Sequence, residues 1–171
     1  MQQQPYTQWS ETLHRNAVSK RIPINGTLEL TRRCNLACRH CYNNLPLHDQ
    51  PARRNELSTA ELRRVLDELA DAGCLWLLLT GGEPFARSDI LDIYSAARDK
   101  GFIITLFTNA TLISEQIADT LAARPPFSIE VTLYGATEKT YERITGVPGS
   151  YERCLRGIRL LQSRGLPLKL K

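Results

Sequence analysis

Short apolar runs alternate with amphipathic helical patterns from Gly26 onward, and each is bounded by capping or turn residues. Such alternation is the sequence form of repeated β/α units, in which helices cover a parallel sheet. The pattern predicts five strands: Gly26 to Thr31, Leu75 to Leu79, Phe102 to Phe107, Phe127 to Leu133, and Leu166 to Lys171. The predicted fold class is therefore α/β, a partial parallel (β/α) barrel truncated after about the fifth strand.

The predicted helices carry boundary signals. Ser58 can cap a helix through a capping box with Glu61, and Gly73 ends that helix. Further helices are predicted from about Asp89 to Lys100, from Ser114, and from a cap at Ser150 to Gly165. Outside these elements we predict an irregular lead-in over residues 1–25, a core domain over residues 26–171, and a loop over residues 43–56.

Length, charge and hydrophobic pattern indicate one globular domain and do not indicate a membrane protein or a nucleic-acid-binding protein. A chain of 171 residues with 42% hydrophobic content has room for one ordinary core. The net charge of +4 comes from basic and acidic residues spread along the chain, which gives no case for nucleic acid or membrane binding. No long apolar run or signal peptide is visible, so we expect a cytoplasmic protein. The last strand lacks a covering helix, which favours an N-terminal portion of a longer protein.

Three of the five cysteines fall within eight residues, directly after the first predicted strand. Cys34, Cys38 and Cys41 have the spacing C-x3-C-x2-C, which suits a shared metal centre better than a disulfide framework. Three ligands would leave one iron of a cluster open, and an open position is typical of a catalytic metal site. Cys74 and Cys154 are interpreted as small core residues.

Other polar groups follow the next strands. In parallel β/α folds the loops at the carboxyl ends of the strands open on one face, where reacting groups collect. The groups expected to share that face with the cysteines are Gly81 to Pro84, Thr108 with Asn109, and Tyr134 to Arg143.

Two of these motifs together resemble a known family. The stretch Cys34-Asn-Leu-Ala-Cys38-Arg-His-Cys41, followed by Gly81-Gly82-Glu83-Pro84, is similar to the radical S-adenosylmethionine (SAM) superfamily. The later segment from Ile129 to Arg153 resembles the branch with a C-terminal SPASM or twitch domain. The resemblance covers roughly residues 24–171.

The resemblance implies a role for each matching residue. Cys34, Cys38 and Cys41 would ligate a [4Fe–4S] cluster. His40 would pack against the adenine of SAM, and Glu83 would accept a charge-assisted hydrogen bond from the SAM ammonium.

Five further positions complete the implied SAM site. Gly81 and Gly82 would let the strand end approach the methionine moiety closely. Thr132 would meet the ribose or carboxylate of SAM, and Arg143 could pair with that carboxylate. Asn109 is also assigned to the cofactor site, although Asn is common as a turn residue.

The implied activity is reductive cleavage of SAM to a 5′-deoxyadenosyl radical, which abstracts hydrogen from a substrate. A peptide undergoing maturation is the leading substrate, with tetrapyrroles and other small molecules as further cases. An electron donor such as flavodoxin or ferredoxin is implied. No protein side chain is assigned a catalytic role, because this chemistry belongs to the cofactors.

Two alternatives stay open. The cysteines and His48 could form a structural zinc site in a non-catalytic binding module. The chain could also bind cluster and SAM without turnover. Two roles are open for Arg32, Arg33 and Arg39, which could be solvated or could offset the charge of a cluster. Two aromatic residues, Trp76 and Phe107, are predicted to pack in the sheet.

Overall fold

A five-stranded parallel sheet forms the centre of the protein, for which the computed structural model describes residues 5–43 and 45–171. Its strands are β1 (Asn25–Glu29), β4 (Trp76–Thr80), β5 (Ile103–Thr108), β6 (Ser128–Val131) and β7 (Leu168–Leu170), in that spatial order. Two short strands, β2 (Arg33–Cys34) and β3 (Leu45–Pro46), pair separately in the loop after β1. All five predicted strands are thus present, with ends shifted by one or two residues.

Helices connect the strands and cover one face of the sheet. They are α1 (Tyr6–Lys20), α2 (Gln50–Arg54), α3 (Thr59–Asp71), α4 (Ile90–Asp99), α5 (Glu115–Ala123), α6 (Glu138–Thr145) and α7 (Ser150–Ser163), with a 3₁₀ turn over Pro84–Ala86. The capping box at the start of α3 is present as predicted, with Ser58 and Glu61 each accepting from the other's backbone N–H. No helix in residues 5–43 and 45–171 is long and apolar enough to cross a membrane.

The core lies between the sheet and these helices. Alternate strand residues are fully buried on the helix side, including Leu77, Leu79, Ile104, Leu106, Ile129 and Val131. The opposite face carries Thr27, Trp76, Leu78, Thr105 and Phe107, which with Glu130 line an open cavity of about 280 Å³. The predicted small core cysteines, Cys74 and Cys154, are both buried. The helices therefore cover one face, and the carboxyl ends of the strands stay free for loops.

The structure corrects three local predictions. The lead-in is not irregular throughout, because residues 6–20 form α1, which starts after Pro5 and ends at Arg21 in the left-handed conformation. Ser150 is the first residue of α7 and not its cap, which is Gly149. The predicted loop over residues 43–56 contains α2, with Asp49 accepting a hydrogen bond from the Ala52 N–H. Residues 1–4 and Asn44 lie outside the described residues, and the division into lead-in and core domain stays a prediction.

Candidate active site

The three clustered cysteines lie on the loop that follows β1. Cys34 ends β2, Cys38 is buried, and Cys41 is exposed. Backbone N–H groups point at two of the sulfurs: Leu36 N lies 3.4 Å from Cys34 Sγ, and Asn43 N lies 3.4 Å from Cys41 Sγ. The loop therefore presents these sulfurs as hydrogen-bond acceptors, which is the form in which thiolates bind metal.

The thiols influence one another electrostatically. Burial, together with Glu83 and the two neighbouring cysteines, raises the pKa of Cys34 to about 11, and burial and Cys41 raise the pKa of Cys38. In residues 5–43 and 45–171, no group of three or more His, Cys, Asp or Glu side chains is arranged to hold a single metal ion. Three soft thiolate donors on one irregular loop fit the ligand set of an iron–sulfur cluster.

The Gly81-Gly82 pair packs directly on the backbone that leads into the cysteine loop. A Cβ on Gly81 would lie 2.3 Å from the Thr31 carbonyl oxygen, and one on Gly82 would lie 2.3 Å from the Arg33 carbonyl oxygen. The Gly82 N–H donates to Thr31 O at 2.7 Å, and the Glu83 N–H donates to Arg33 O at 2.9 Å. Because Gly81 and Gly82 have no side chains, they can pack directly on the backbone that precedes Cys34 and hold it in place. Their predicted approach to the methionine moiety of SAM stays a prediction.

The carboxyl end of α6 holds the same loop from another direction. The Ala37 N–H donates to Thr145 O at 2.8 Å, and the Arg39 N–H donates to Ile144 O at 3.1 Å. Gly146 ends the helix in the left-handed conformation, and a Cβ there would lie 3.0 Å from Ala37 O. The last carbonyl groups of α6, which have no partner within the helix, are therefore used to anchor the backbone between Cys34 and Cys41.

Glu83 lies at the base of the site and is completely buried. Its carboxylate accepts hydrogen bonds from Phe85 N at 3.1 Å, Thr108 Oγ1 at 2.7 Å and Asn109 N at 2.7 Å. Burial raises its pKa to about 7, although these three donors lower it. Glu83 thus joins the loop after β4 to the loop after β5, and its predicted bond to the SAM ammonium stays a prediction.

The raised pKa of Glu83 gives an expected pH dependence of stability in the metal-free protein. The native state binds a proton on Glu83 that the unfolded state has lost, so stability falls as pH rises from about 4.5 towards about 7. The loss attributable to Glu83 is roughly 3 kcal/mol at most. The Cys34 and Cys154 thiols that interact with Glu83 stay protonated over this range, because burial raises the pKa of each.

Urea unfolding at pH 5 and pH 8 checks this expectation against Glu83→Gln, which cannot ionise. The wild type is expected to lose more stability than the variant between the two pH values. Equal losses in the two proteins would show that Glu83 does not titrate in this range.

Asn109 follows β5 and reaches the cysteine loop. Its side-chain nitrogen lies 3.7 Å from Cys34 Sγ and 3.1 Å from Asn35 Oδ1. Its side-chain oxygen accepts from Thr111 N at 2.9 Å and Thr111 Oγ1 at 2.6 Å. The predicted cofactor-site residue is therefore next to a predicted cluster ligand.

The remaining predicted SAM contacts lie around the same loops. His40 is exposed, and its ring centroid lies 5.0 Å from that of Tyr134 in an edge-to-face arrangement. Thr132 is half-buried and directly follows β6, whereas Arg143 is exposed in the last turn of α6. Their roles as contacts of SAM stay predictions.

A buried ion-pair network supports the site and was missed by sequence reasoning. Glu56 accepts from Arg33 through both carboxylate oxygens, at 2.7 and 3.0 Å, and also from the Thr31 hydroxyl. Arg87 lies 3.6 Å from the same carboxylate and pairs with Asp89 at 2.7 Å. Arg33 is therefore buried and ion-paired, which corrects the solvated role considered for it, whereas its offset of the charge of a cluster stays a prediction. No local pattern could reveal this pairing, because Arg33 and Glu56 are 23 positions apart.

The fold and site together define a class of protein. A parallel β/α sheet that gathers three thiols, a Gly-Gly-Glu segment and an Asn at the carboxyl ends of its strands has the layout of an α/β enzyme core. A sequence profile described as the Radical SAM superfamily matches residues 28–170, and the chain belongs to that superfamily.

Two curated relatives show which kinds of enzyme share this core. The chain is 37% identical over 142 residues to "AdoMet-dependent heme synthase" of Methanosarcina barkeri. This match covers 83% of the chain and 40% of the relative. It is also 36% identical over 148 residues to "PqqA peptide cyclase" of Ruegeria pomeroyi. This second match covers 86% of the chain and 39% of the relative. The chain thus spans about 40% of the length of these relatives.

Solved structures agree with the assigned fold. SuiB of Streptococcus suis superposes with a TM-score of 0.74 at 20% sequence identity, covering 99% of this chain and 39% of that chain. SuiB bound to precursor peptide SuiA gives a TM-score of 0.73 at 21% identity, covering 99% and 38%. At these identities the likeness concerns the fold.

Proposed function

We propose that the protein carries the core of a radical SAM enzyme and holds a [4Fe–4S] cluster with Cys34, Cys38 and Cys41. The observation that carries the proposal is the docking of Gly81-Gly82-Glu83 onto the backbone that precedes Cys34. It brings together, at the carboxyl face of the sheet, two motifs whose nearest residues, Cys41 and Gly81, are 40 positions apart in the sequence. Membership of the superfamily favours this function over the zinc-stabilised binding module.

The residues of the chain supply binding and position. The three thiols lose their protons on binding iron, since metal ligands must be deprotonated. The position we propose for SAM is surrounded by His40, Gly81, Gly82, Thr132 and Arg143. Glu83 fixes the base of that position between two loops. When bound and supplied with one electron, the cofactors provide the 5′-deoxyadenosyl radical that abstracts hydrogen from substrate.

The open sheet face is the proposed place for substrate. It carries half-buried side chains of β4 and β5 that line an open cavity of about 280 Å³, and the neighbouring strand β1 is followed in the chain by the cysteine loop. We propose a peptide substrate, because the PqqA peptide cyclase relative acts on a peptide and SuiB is recorded with precursor peptide SuiA. The heme synthase relative supports a tetrapyrrole as the second candidate. A low-potential electron donor, such as flavodoxin or ferredoxin, is part of the proposal.

Anaerobic reconstitution followed by a SAM-cleavage assay tests the function. The wild type is expected to take up about four irons and four sulfides per chain and to form 5′-deoxyadenosine with dithionite as reductant. Cys38→Ala is expected to lose the broad visible absorption and the product together, whereas Cys154→Ala, a buried cysteine on α7, keeps both.

The possible results separate the proposal from its alternatives. One tightly held zinc without iron uptake would support the binding module. A full cluster without 5′-deoxyadenosine would show that this chain is catalytically silent. Product formation accelerated by a candidate peptide and not by a porphyrin would support the peptide substrate, and the reverse would support the tetrapyrrole.

A further inference from the structure

The orientation of the Asn109 side chain is fixed by the protein. Its oxygen accepts from both the backbone N–H and the hydroxyl of Thr111, at 2.9 and 2.6 Å. A flipped amide would place its NH₂ group against the Thr111 N–H, which is also a donor. The NH₂ group of Asn109 must therefore face the opposite side, where Asn35 Oδ1 and Cys34 Sγ lie at 3.1 and 3.7 Å.

Asn35 completes this arrangement as a closed ring of hydrogen bonds. The Asn35 NH₂ donates to Thr111 Oγ1 at 2.7 Å, the Thr111 hydroxyl donates to Asn109 Oδ1, and the Asn109 NH₂ donates to Asn35 Oδ1. Each of the three side chains both donates and accepts once in the ring. The second N–H of Asn109 is left over, and Cys34 Sγ is its acceptor.

The backbone that carries Asn109 is also held firmly. The Asn109 N–H donates to Glu83, and the next residue, Ala110, is fully buried with a positive φ of 60°. Gly157 of α7 packs against it so closely that a Cβ there would lie 2.0 Å from Ala110 O. A non-glycine residue keeps this conformation only when its surroundings determine it. The loop thus holds Asn109 next to Cys34.

We propose that Asn109 is a positioning residue of the cluster, which donates an N–H···S hydrogen bond to the Cys34 thiolate and thereby favours the reduced state. The inference rests on the proposed function and assigns Asn109 to the cluster instead of to SAM. A hydrogen bond to a cluster sulfur stabilises the extra negative charge that arrives with an electron, so it raises the reduction potential. Cys34 Sγ then receives two donors, Leu36 N and Asn109 Nδ2.

Reduction potentials of the anaerobically reconstituted protein, measured by titration with the reduced-cluster EPR signal as readout, test the proposal. Asn109→Ala is expected to make the cluster about tenfold harder to reduce, which is about 59 mV more negative for one electron. Thr111→Val, which removes the hydroxyl that orients the amide, is expected to shift the potential in the same direction by less. Thr111→Ser, which keeps the hydroxyl, and Asn16→Ala, on the exposed side of α1, are expected to match the wild type.

Iron content and thermal unfolding of each variant show whether it folds and carries the full cluster. If Asn109→Ala fails to fold or to load iron, the difference between Thr111→Val and Thr111→Ser decides the question. An unchanged potential in fully loaded Asn109→Ala overturns the inference and leaves the proposed function intact. So does weaker SAM binding at an unchanged potential, which would return Asn109 to the SAM site. A wild type that takes up no cluster overturns both.

Discussion

Gly81→Ala is expected to lower the free energy of unfolding by about 3–5 kcal/mol. Two costs add at this position. The backbone has a φ of +138°, which residues with a side chain rarely adopt, and the new Cβ would lie 2.3 Å from Thr31 O. That oxygen belongs to the backbone and accepts the hydrogen bond from Gly82 N, so it cannot move away without releasing the cysteine loop.

Gly101→Ala is the matched control for this substitution. Gly101 also has a positive φ, of +86°, but nothing lies within 4 Å of the Cβ that would be added. Only the backbone cost remains there, so we expect a loss of about 1–2 kcal/mol. Urea unfolding measures both stabilities, and iron content after reconstitution reports on the loop. Similar losses in the two variants would show that the contact with Thr31 contributes little.

Local signals in the sequence were sufficient for much of the fold. Ser58 and Glu61 form the predicted capping box because its donors and acceptors lie within one turn. The five strands were found from apolar runs bounded by turns, since a parallel sheet buries each central strand beneath helices. Their parallel order follows from the β/α alternation, which leaves each connection enough residues to cross over the sheet.

Helices α1 and α6 were not predicted from the sequence. Only Ala17 of α1 is buried, so the helix has no strong apolar stripe to show in the sequence. The segment that forms α6 was interpreted as part of a functional loop, although Thr137 caps its start and Gly146 ends it. Those two residues were the signal that could have revealed the helix.

The candidate site shows the same division between local and distant contacts. The sequence predicted that Cys34 and Gly81 would share one face, because both follow strands of one parallel sheet. It did not predict that the glycine pair would pack on the backbone of residues 31–33, nor that Glu83 would bond to Thr108 and Asn109. Such contacts join residues that are distant in the chain, and their distances depend on the packing of the whole sheet.

The ion pair between Glu56 and Arg33 gives the second large expected effect. Glu56→Ala removes the carboxylate that accepts from both Arg33 and the Thr31 hydroxyl. Among the described residues, it leaves the buried Arg33 side chain with Leu47 O, at 3.1 Å, as its one acceptor. Breaking a buried pair from one side is expected to cost about 3–5 kcal/mol. Since Arg33 directly precedes Cys34 and Thr31 lies three positions before it, the variant is also expected to retain less iron.

Glu115→Ala is the control, because its pair with Arg164 is also 2.7 Å long but leaves the Glu115 side chain 76% exposed. An exposed pair contributes about 0–1 kcal/mol, so this variant should stay close to the wild type. A double variant, Glu56→Ala with Arg33→Leu, removes the unpaired charge as well and is expected to recover part of the lost stability. If the double variant is less stable than Glu56→Ala, the cost comes from lost packing of Arg33, whose stem lies beside the cysteine loop, and not from its uncompensated charge.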